Sequence, residues 1–166
     1  MYLTAFTDAD WATDVDDRKS TGGCCVYLGD TLISWASRKQ SVVSRSSTES
    51  EYRSLADGAA EIKWLMSLLS ELGLYIKEPT VIWCDNTSAG ALAANPVHHR
   101  RSKHIDIDLH FIRDMVQSGA ISVQYIPSSK QIADVFTKAL SQPQFSSLCV
   151  KLGLAITPSR LRGKLG

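Results

Sequence analysis

The sequence has no excess of either charge and no long apolar run. It carries 18 Lys and Arg residues against 17 Asp and Glu residues, a formal net charge of +1. This balance excludes a strongly basic nucleic-acid-binding arm and an acidic tail, so a site for a polyanion has to be a local patch. No apolar run approaches the ~18 residues that a membrane span needs. Residues 1–4 lack the cationic start of a secretion signal, so we expect neither a membrane partner nor export.

Cysteine is scarce, and its spacing matches no CxxC motif. The four cysteines stand at positions 24, 25, 84 and 149. Adjacent Cys24 and Cys25 cannot readily bond to each other, so a reduced intracellular chain is the simplest interpretation. With 44% hydrophobic and 21% charged residues in a chain of 166, the composition predicts one soluble globular domain.

Hydrophobic periodicity and turn residues predict an α/β domain. Short runs separated by polar turns predict three leading strands, of which the second and third form a hairpin at Gly29-Asp30. A long helix closed by Gly73, followed by further strands and helices, predicts a mixed sheet. We expect residues 1–154 to form the domain and residues 155–166 to be a frayed tail. The predicted strands cover 3–8, 22–28, 31–37, 80–84 and 121–126, and the predicted helices cover 47–72, 86–94, 106–118, 127–140 and 144–152.

Two aspartates stand where apolar strands end. Asp8 follows Phe6 by two positions, and Asp85 follows Trp83 by two. Side chains alternate along a strand, so each carboxylate points to the same face as its aromatic neighbour. An aspartate that begins a turn explains either residue taken singly. Two such residues in one domain weaken that explanation and favour a shared site.

The long helix carries a carboxylate on its buried face. At ~100° per residue, Glu51 falls about 40° from Leu55, inside the apolar stripe that has to face the sheet, whereas Glu49 lies about 120° away. Glu49 also has a structural role, because residues 46–49 match a capping box. The structural alternative for Glu51 is the rim of the core near the helix dipole. Because a buried carboxylate is unfavourable without a cation, we interpret Glu51 as a metal ligand. The stripe consists of Tyr52, Leu55, Ala59, Ile62, Met66 and Leu69.

Asp134 repeats this pattern in the first turns of the predicted helix 127–140. Its neighbours at positions 132, 133, 135 and 136 are apolar. Compensation of the helix dipole, worth ~0.3–1 kcal/mol, is the structural alternative. Four such acidic residues without a cysteine or histidine cluster indicate an all-oxygen site. Such a site suits Mg²⁺ or Mn²⁺ and does not suit zinc.

Eight short motifs follow one another along the chain. They are FTDADWA (6–12), DDRKSTG (16–22), ISWASRKQ (33–40), SSTESEY (46–52), CDN (84–86), SKHIDI (102–107), HFIR (110–113) and QIADVFTK (131–138). A single piece such as CDN has little specificity. The ordered series, over residues 2–154, resembles the ribonuclease H domain of a copia-type retrotransposon polyprotein, which also contains a reverse transcriptase.

The resemblance implies a ribonuclease H-like α/β fold, in which a five-stranded mixed sheet has three antiparallel and then two parallel strands, with helices on both faces. It also implies that Asp8, Glu51, Asp85 and Asp134 hold two Mg²⁺ or Mn²⁺ ions, with Asp10 as the alternative to Asp8. Asp8 would bridge both ions, Glu51 and Asp85 would complete one site, and Asp134 would serve the other.

The activity that the resemblance implies is hydrolysis of the RNA strand of RNA–DNA hybrids during reverse transcription, leaving 5′-phosphate and 3′-hydroxyl ends. Two alternatives remain open. One is a catalytically silent nucleic-acid-binding remnant, and the other is an integrase-like two-metal nuclease. The implied partners are the hybrid and the reverse transcriptase domain of the same polyprotein. The implied location is intracellular, in the cytoplasm within a virus-like particle or in the nucleus, and the oligomeric state stays open.

Cationic and hydroxyl side chains in two segments are candidates for contact with the hybrid. Residues 98–103 form the densest basic run, for which a solvated loop is an equally good explanation. Other basic residues flank the start of the long helix, whose free N–H groups and hydroxyls could hold a phosphate. The candidates are Arg38, Lys39, Ser46, Ser47, Thr48, Asn86, Arg100, Arg101 and Lys103.

The remaining aromatic and imidazole side chains are predicted to be structural. Trp11, Trp35, Trp64 and Trp83 are interpreted as core packing and not as a platform on which bases stack. His104 is six residues from the next histidine, which is not a same-face spacing in a helix. We therefore interpret His104 as a loop or cap residue.

Overall fold

The computed structural model describes residues 1–88 and 103–154. The strands in these residues are β1 (Leu3–Asp10), β2 (Thr21–Leu28), β3 (Thr31–Lys39), β4 (Thr80–Cys84) and β5 (Ile121–Tyr125). The helices are α1 (Ser47–Glu71), α2 (Lys103–Gln117), α3 (Asp134–Thr137) and α4 (Gln142–Lys151), with a 3₁₀ turn at Ser128–Lys130. Among the described residues, no helix combines the length and the apolar composition that a membrane span requires.

The five strands form a mixed sheet in the order β3-β2-β1-β4-β5. β1 pairs antiparallel with β2, and β2 pairs antiparallel with β3. β4 runs parallel to both β1 and β5. The β2–β3 hairpin turns at Gly29, whose φ of 59° favours glycine. The expected α/β fold, with three antiparallel and then two parallel strands, is confirmed.

Alternation along β1 divides the core into two parts. Ala5 contributes to the larger cluster, which is buried by α1 and α2. Phe6 contributes to the smaller one, which is covered by α3 and by Leu152, the residue that directly follows α4. The Phe6 ring meets Tyr27 of β2 edge-on, with the ring centroids 6.1 Å apart. Helices therefore cover both faces of the sheet, and the carboxyl end of β1 lies between them.

The N-terminus of α1 differs in one detail from the predicted capping box. Ser46 Oγ accepts a hydrogen bond of 3.2 Å from the Glu49 N–H, as expected. The Glu49 carboxylate, however, accepts from the Arg45 N–H and pairs with Arg53, at 3.0 Å in each case, and does not bond to the Ser46 N–H. Glu49 is buried to the same extent as Glu51, but its charge is paired with that of Arg53.

The prediction of one helix over residues 127–140 is wrong. The segment forms the 3₁₀ turn, then extended backbone at Gln131 (φ −69°, ψ 107°), and then α3. The Gln131 side chain is buried and donates to the Thr7 carbonyl, which holds the chain against β1. This bond fixes an interruption that hydrophobic periodicity does not reveal.

The second amphipathic helix begins three residues earlier than predicted. Lys103 and His104, expected in a loop, are the first two residues of α2. Most of the predicted helix 86–94 lies outside the described residues, as does the predicted tail 155–166.

The prediction that all four tryptophans pack in the core is wrong for three of them. Trp11, Trp35 and Trp64 are 47%, 62% and 58% exposed, while Trp83 is half-buried. Trp35 lies on the edge strand β3, where fewer neighbours can cover it. Trp11 donates from its indole N–H to the Ser44 carbonyl at 3.0 Å, which leaves part of its ring in solvent.

Candidate metal centre

Three aspartate carboxylates converge at the carboxyl end of β1. Asp8 lies in β1, Asp85 directly follows β4, and Asp134 is the first residue of α3. One oxygen atom from each carboxylate lies within 4.8 Å of the other two. Because β1 and β4 are parallel neighbours, residues at their carboxyl ends meet at one edge of the sheet. Asp10, the alternative to Asp8, does not belong to this cluster.

Glu51 approaches the three aspartates from α1, although it lies outside the 4.8 Å group. Only 8% of the residue is exposed. Its carboxylate accepts a hydrogen bond from the Ala9 N–H, but Oε2 is buried without a partner among the described residues. Burial, followed by the nearby charges of Asp8 and Asp85, raises the pKa of Glu51 to about 9. The structure thus brings the four predicted carboxylates to one region.

Two donors at the end of α3 hold the Asp8 carboxylate. The Thr137 hydroxyl donates to Asp8 Oδ2, and Lys138 Nζ lies 3.2 Å from Asp8 Oδ1 and 2.7 Å from Asp134 Oδ1. Burial raises the pKa of Asp8 in spite of these donors. Burial also opposes the charge on Lys138, but the hydrogen bonds and charges of Asp134 and Asp8 outweigh it and raise the Lys138 pKa.

Sequence reasoning missed Thr137 and Lys138, although both belong to the motif at 131–138. The available signal was the four-residue spacing between Asp134 and Lys138, which places an acid and a base on one side of a helical turn. It also missed Ser128, whose hydroxyl donates to Asp85 Oδ2 at 2.7 Å.

The backbone of Asp8 is held from the α1 side. The Ser54 hydroxyl lies 2.6 Å from the Asp8 carbonyl and 3.2 Å from the Gly23 carbonyl, so it links α1 to β1 and β2. Ser54 is buried, and its two acceptors belong to neighbouring strands. The strand that carries the most buried carboxylate is therefore fixed before any ligand binds.

The donor set suits a hard divalent cation. The four side chains Asp8, Glu51, Asp85 and Asp134 offer oxygen atoms only, and one of these atoms, Glu51 Oε2, is buried without a partner in the described part of the chain. The Lys138 ammonium pairs with only two of the four carboxyl groups, and the charges of Asp8 and Asp85 contribute to the raised pKa of Glu51. Oxygen-only sites with excess negative charge are typical for Mg²⁺ and Mn²⁺.

The predicted nucleic-acid contacts lie in different environments. Lys39 Nζ is paired with Asp14 at 2.5 Å and with Asp17 at 2.9 Å. Arg38 is exposed and makes no ion pair within 4.0 Å among the described residues, although its charge opposes the rise that burial causes in the pKa of Asp57. Asn86, which directly follows Asp85, accepts a hydrogen bond of 3.0 Å at Oδ1 from the Ser88 N–H.

The candidate hydroxyls lie at the start of α1, and the candidate basic residues lie in or before α2. Ser46 Oγ serves as the helix cap, Ser47 is exposed and Thr48 is half-buried. Arg100 and Arg101 lie outside the described residues, and Lys103 is the first residue of α2.

Solved structures with the same fold were found, although no family model matches the chain. The LC11 ribonuclease H1, solved in complex with an RNA/DNA hybrid, aligns with a TM-score of 0.61 at 11% identity, over 81% of this chain and 93% of that one. The foamy viral protease–reverse transcriptase, also solved with a hybrid, aligns with a TM-score of 0.58 at 14% identity, over 87% of this chain and 20% of that one. The chain has a ribonuclease H fold.

Sequence relatives identify the family. The chain is 51% identical over 165 residues to the retrovirus-related Pol polyprotein from transposon RE2 of Arabidopsis thaliana, which is 99% of this chain. It is 53% identical over 158 residues, or 95% of the chain, to the corresponding polyprotein from transposon RE1 of the same plant. The chain spans 11% of the length of each of these curated relatives. It belongs to the retrovirus-related Pol polyproteins of copia-like transposons and corresponds to one segment of them.

Proposed function

We propose that this chain is an endonuclease that cleaves the RNA strand of RNA–DNA hybrids during reverse transcription, using two bound Mg²⁺ or Mn²⁺ ions. The observation that carries the proposal is the convergence of Asp8, Asp85 and Asp134 within 4.8 Å, with the buried Glu51 beside them. This combination of acidic residues on a ribonuclease H fold is explained poorly by stability alone, because the carboxylates repel one another.

In this proposal the four carboxylates hold the ions. Asp8, Asp85 and Asp134 would hold them together, with Glu51 as the fourth ligand. When bound, divalent ions activate water and stabilise negative charge on a phosphate. The protein's own part is to fix the ligands. Ser54 and Thr137 hold Asp8, and Ser128 holds Asp85, so the backbone of β1 and these two carboxylates are positioned in advance.

The hybrid would be bound mainly through its backbone phosphates. Arg38 lies near the end of β3, and Ser47 and Thr48 begin α1. The first N–H groups of a helix have no partner within it and point out of its N-terminus. Contacts with 2′-hydroxyls across the minor groove distinguish RNA from DNA without reading sequence. We therefore expect similar cleavage rates on hybrids of different sequence.

The proposal extends to partners and location. A reverse transcriptase domain in the same polyprotein would supply the hybrid, as supported by the solved foamy viral protein, which joins this fold to a reverse transcriptase. We propose an intracellular location, in cytoplasmic virus-like particles or in the nucleus.

The decisive experiment offers labelled RNA–DNA hybrid, duplex DNA and duplex RNA to the purified chain with Mg²⁺ or Mn²⁺. We expect cleavage of the RNA in the hybrid alone and its loss in Asp85→Asn. The matched control is Asp30→Asn, which removes an exposed carboxylate from the β2–β3 turn at the opposite end of β1 from Asp8. Binding of hybrid without cleavage would instead support a silent remnant, and cleavage of duplex DNA would support an integrase-like nuclease.

A further inference from the structure

The ammonium of Lys138 lies where a cation shared by two of the aspartates would be held. Its Nζ is 2.7 Å from Asp134 Oδ1 and 3.2 Å from Asp8 Oδ1. Asp8 and Asp134 are two of the three aspartates that each place one carboxylate oxygen within 4.8 Å of the other two. A divalent ion bound by Asp8 and Asp134 would have to share this space with a positive charge. Repulsion between the two cations makes joint occupancy unfavourable.

We propose that Lys138 is an internal counter-ion, which competes with divalent metal ions for Asp8 and Asp134 and thereby sets the metal affinity of the site. This inference rests on the proposed metal-dependent function. Lys138 would be a positioning residue, because it holds the carboxylates together in the metal-free protein and has to move away before a metal ion binds.

The local structure allows the side chain to leave while the backbone stays. Lys138 follows the last residue of α3, and its N–H donates to the Asp134 carbonyl at 3.0 Å. Its side chain is 33% exposed, so solvent is accessible to the ammonium. Thr137 need not move, because the carboxylate oxygen that accepts its hydroxyl has a further lone pair.

A purely structural role for Lys138 predicts the opposite change in metal affinity. If the ammonium only kept Asp8 and Asp134 in place for a metal ion, removing it would loosen the ligands and weaken metal binding. If it competes, removing it strengthens metal binding. Because the competing ammonium is held by charge-assisted hydrogen bonds, we expect its removal to raise the metal affinity about tenfold, which corresponds to about 1.4 kcal/mol.

The test measures Mn²⁺ binding to the purified chain without nucleic acid. Electron paramagnetic resonance gives the concentration of free Mn²⁺. We expect Lys138→Met to bind Mn²⁺ about tenfold more tightly than the unaltered chain, and Lys138→Arg, which keeps the charge, to stay close to the unaltered chain. Lys138→Gln replaces the Met variant if that variant does not fold. Lys130→Met is the matched control for the loss of one positive charge, because Lys130 is exposed in the 3₁₀ turn.

The outcomes separate this inference from the proposed function. Suppose that the unaltered chain binds Mn²⁺ and that Asp134→Asn abolishes this binding, which would support the metal site. Equal or weaker binding by Lys138→Met would then overturn the competition and leave the metal site in place. An equal gain in Lys130→Met would also overturn it, since general electrostatics would then suffice. Absence of binding in every variant would overturn both the inference and the metal-dependent function.

Discussion

The side-chain amide of Gln131 donates a hydrogen bond of 2.9 Å to the backbone carbonyl of Thr7. Thr7 directly precedes Asp8 in β1, and Gln131 lies three residues before Asp134. The Gln131 Oε1 atom also accepts a hydrogen bond of 3.2 Å from the Ala133 N–H. One buried side chain therefore ties together the two segments that carry carboxylates from opposite ends of the sequence.

Replacing this amide should destabilise the fold and the site together. Gln131→Leu keeps a similar volume but leaves two buried backbone groups without their side-chain partner. We expect the free energy of unfolding to fall by about 1–3 kcal/mol, measured by urea denaturation. Gln117→Leu makes the same exchange at an exposed position at the end of α2 and should change the free energy by less than about 0.5 kcal/mol. An equal loss in both variants would show that the buried hydrogen bonds are not the cause.

The stability of the metal-free protein should fall as the pH rises. Because the pKa of Glu51 is raised from 4.5 to about 9, the folded chain keeps a proton that the unfolded chain releases. The unfolded state therefore binds fewer protons between these two values, and the free energy of unfolding decreases with pH across that window. We expect a loss of at least about 2 kcal/mol, since one pKa unit corresponds to about 1.4 kcal/mol.

The measurement is urea denaturation in a chelator at several pH values from 5 to 9. Glu51→Gln should flatten the dependence, whereas Glu78→Gln, which removes an exposed carboxylate from the loop before β4, should leave it unchanged. Added Mg²⁺ should restore stability at the upper end of the range, because an ion bound only by the folded state stabilises it. An unaltered slope in Glu51→Gln would contradict the assignment of this dependence to Glu51.

At Gly58, α1 approaches β1 so closely that substitution by alanine, which normally favours a helix, should destabilise the fold. A Cβ atom on Gly58 would lie 2.5 Å from Thr7 Cγ2. Alanine is better than glycine in a helix by ~1 kcal/mol, but overpacking a core costs about 1–3 kcal/mol. We expect Gly58→Ala to lower the free energy of unfolding by about 1 kcal/mol. In a double-mutant cycle, Thr7→Ser should relieve the clash by removing the methyl group. Additive losses would contradict the contact.

Sequence patterns predicted the parts of the site that regular secondary structure positions. Strand alternation was enough to single out Asp8 and Asp85, because each stands where an apolar strand ends. Helical periodicity distinguished Glu51 from Glu49, since only one of the two falls within the stripe that faces the sheet. These are local properties, and the sheet order then brings the residues together.

The rest depends on contacts between distant residues. The apolar positions around Asp134 suggest a continuous helix, yet Gln131 makes its buried hydrogen bonds to a strand more than a hundred residues away. Lys138 would be expected in solvent on the basis of residue type alone, because unpaired lysines are rarely buried. Only the folded arrangement shows that two carboxylates receive its ammonium.

Two adjacent basic residues should differ in their contribution to substrate binding. Arg38 is exposed without an ion pair in the described part of the chain, whereas Lys39 is paired with Asp14 and Asp17. A phosphate contact by Lys39 would first have to break these pairs. We expect Arg38→Ala to weaken binding of an RNA–DNA hybrid uniformly across sequences and to reduce the slope of log affinity against log salt by about 1. Lys39→Ala should have the smaller effect.

Fluorescence anisotropy of a labelled hybrid over a range of KCl concentrations measures both slopes, with Asp85→Asn as the background so that the substrate is not cut. Asp14→Asn together with Asp17→Asn frees the Lys39 ammonium and removes two repelling charges, so this double variant should bind the hybrid more tightly and with a steeper salt slope. Lys39→Ala should then weaken binding in the double variant more than in the chain that retains both aspartates. If Lys39→Ala is equally damaging in both backgrounds, the ion pairs do not restrain the lysine. If Arg38→Ala leaves the slope unchanged, the hybrid does not contact this end of β3.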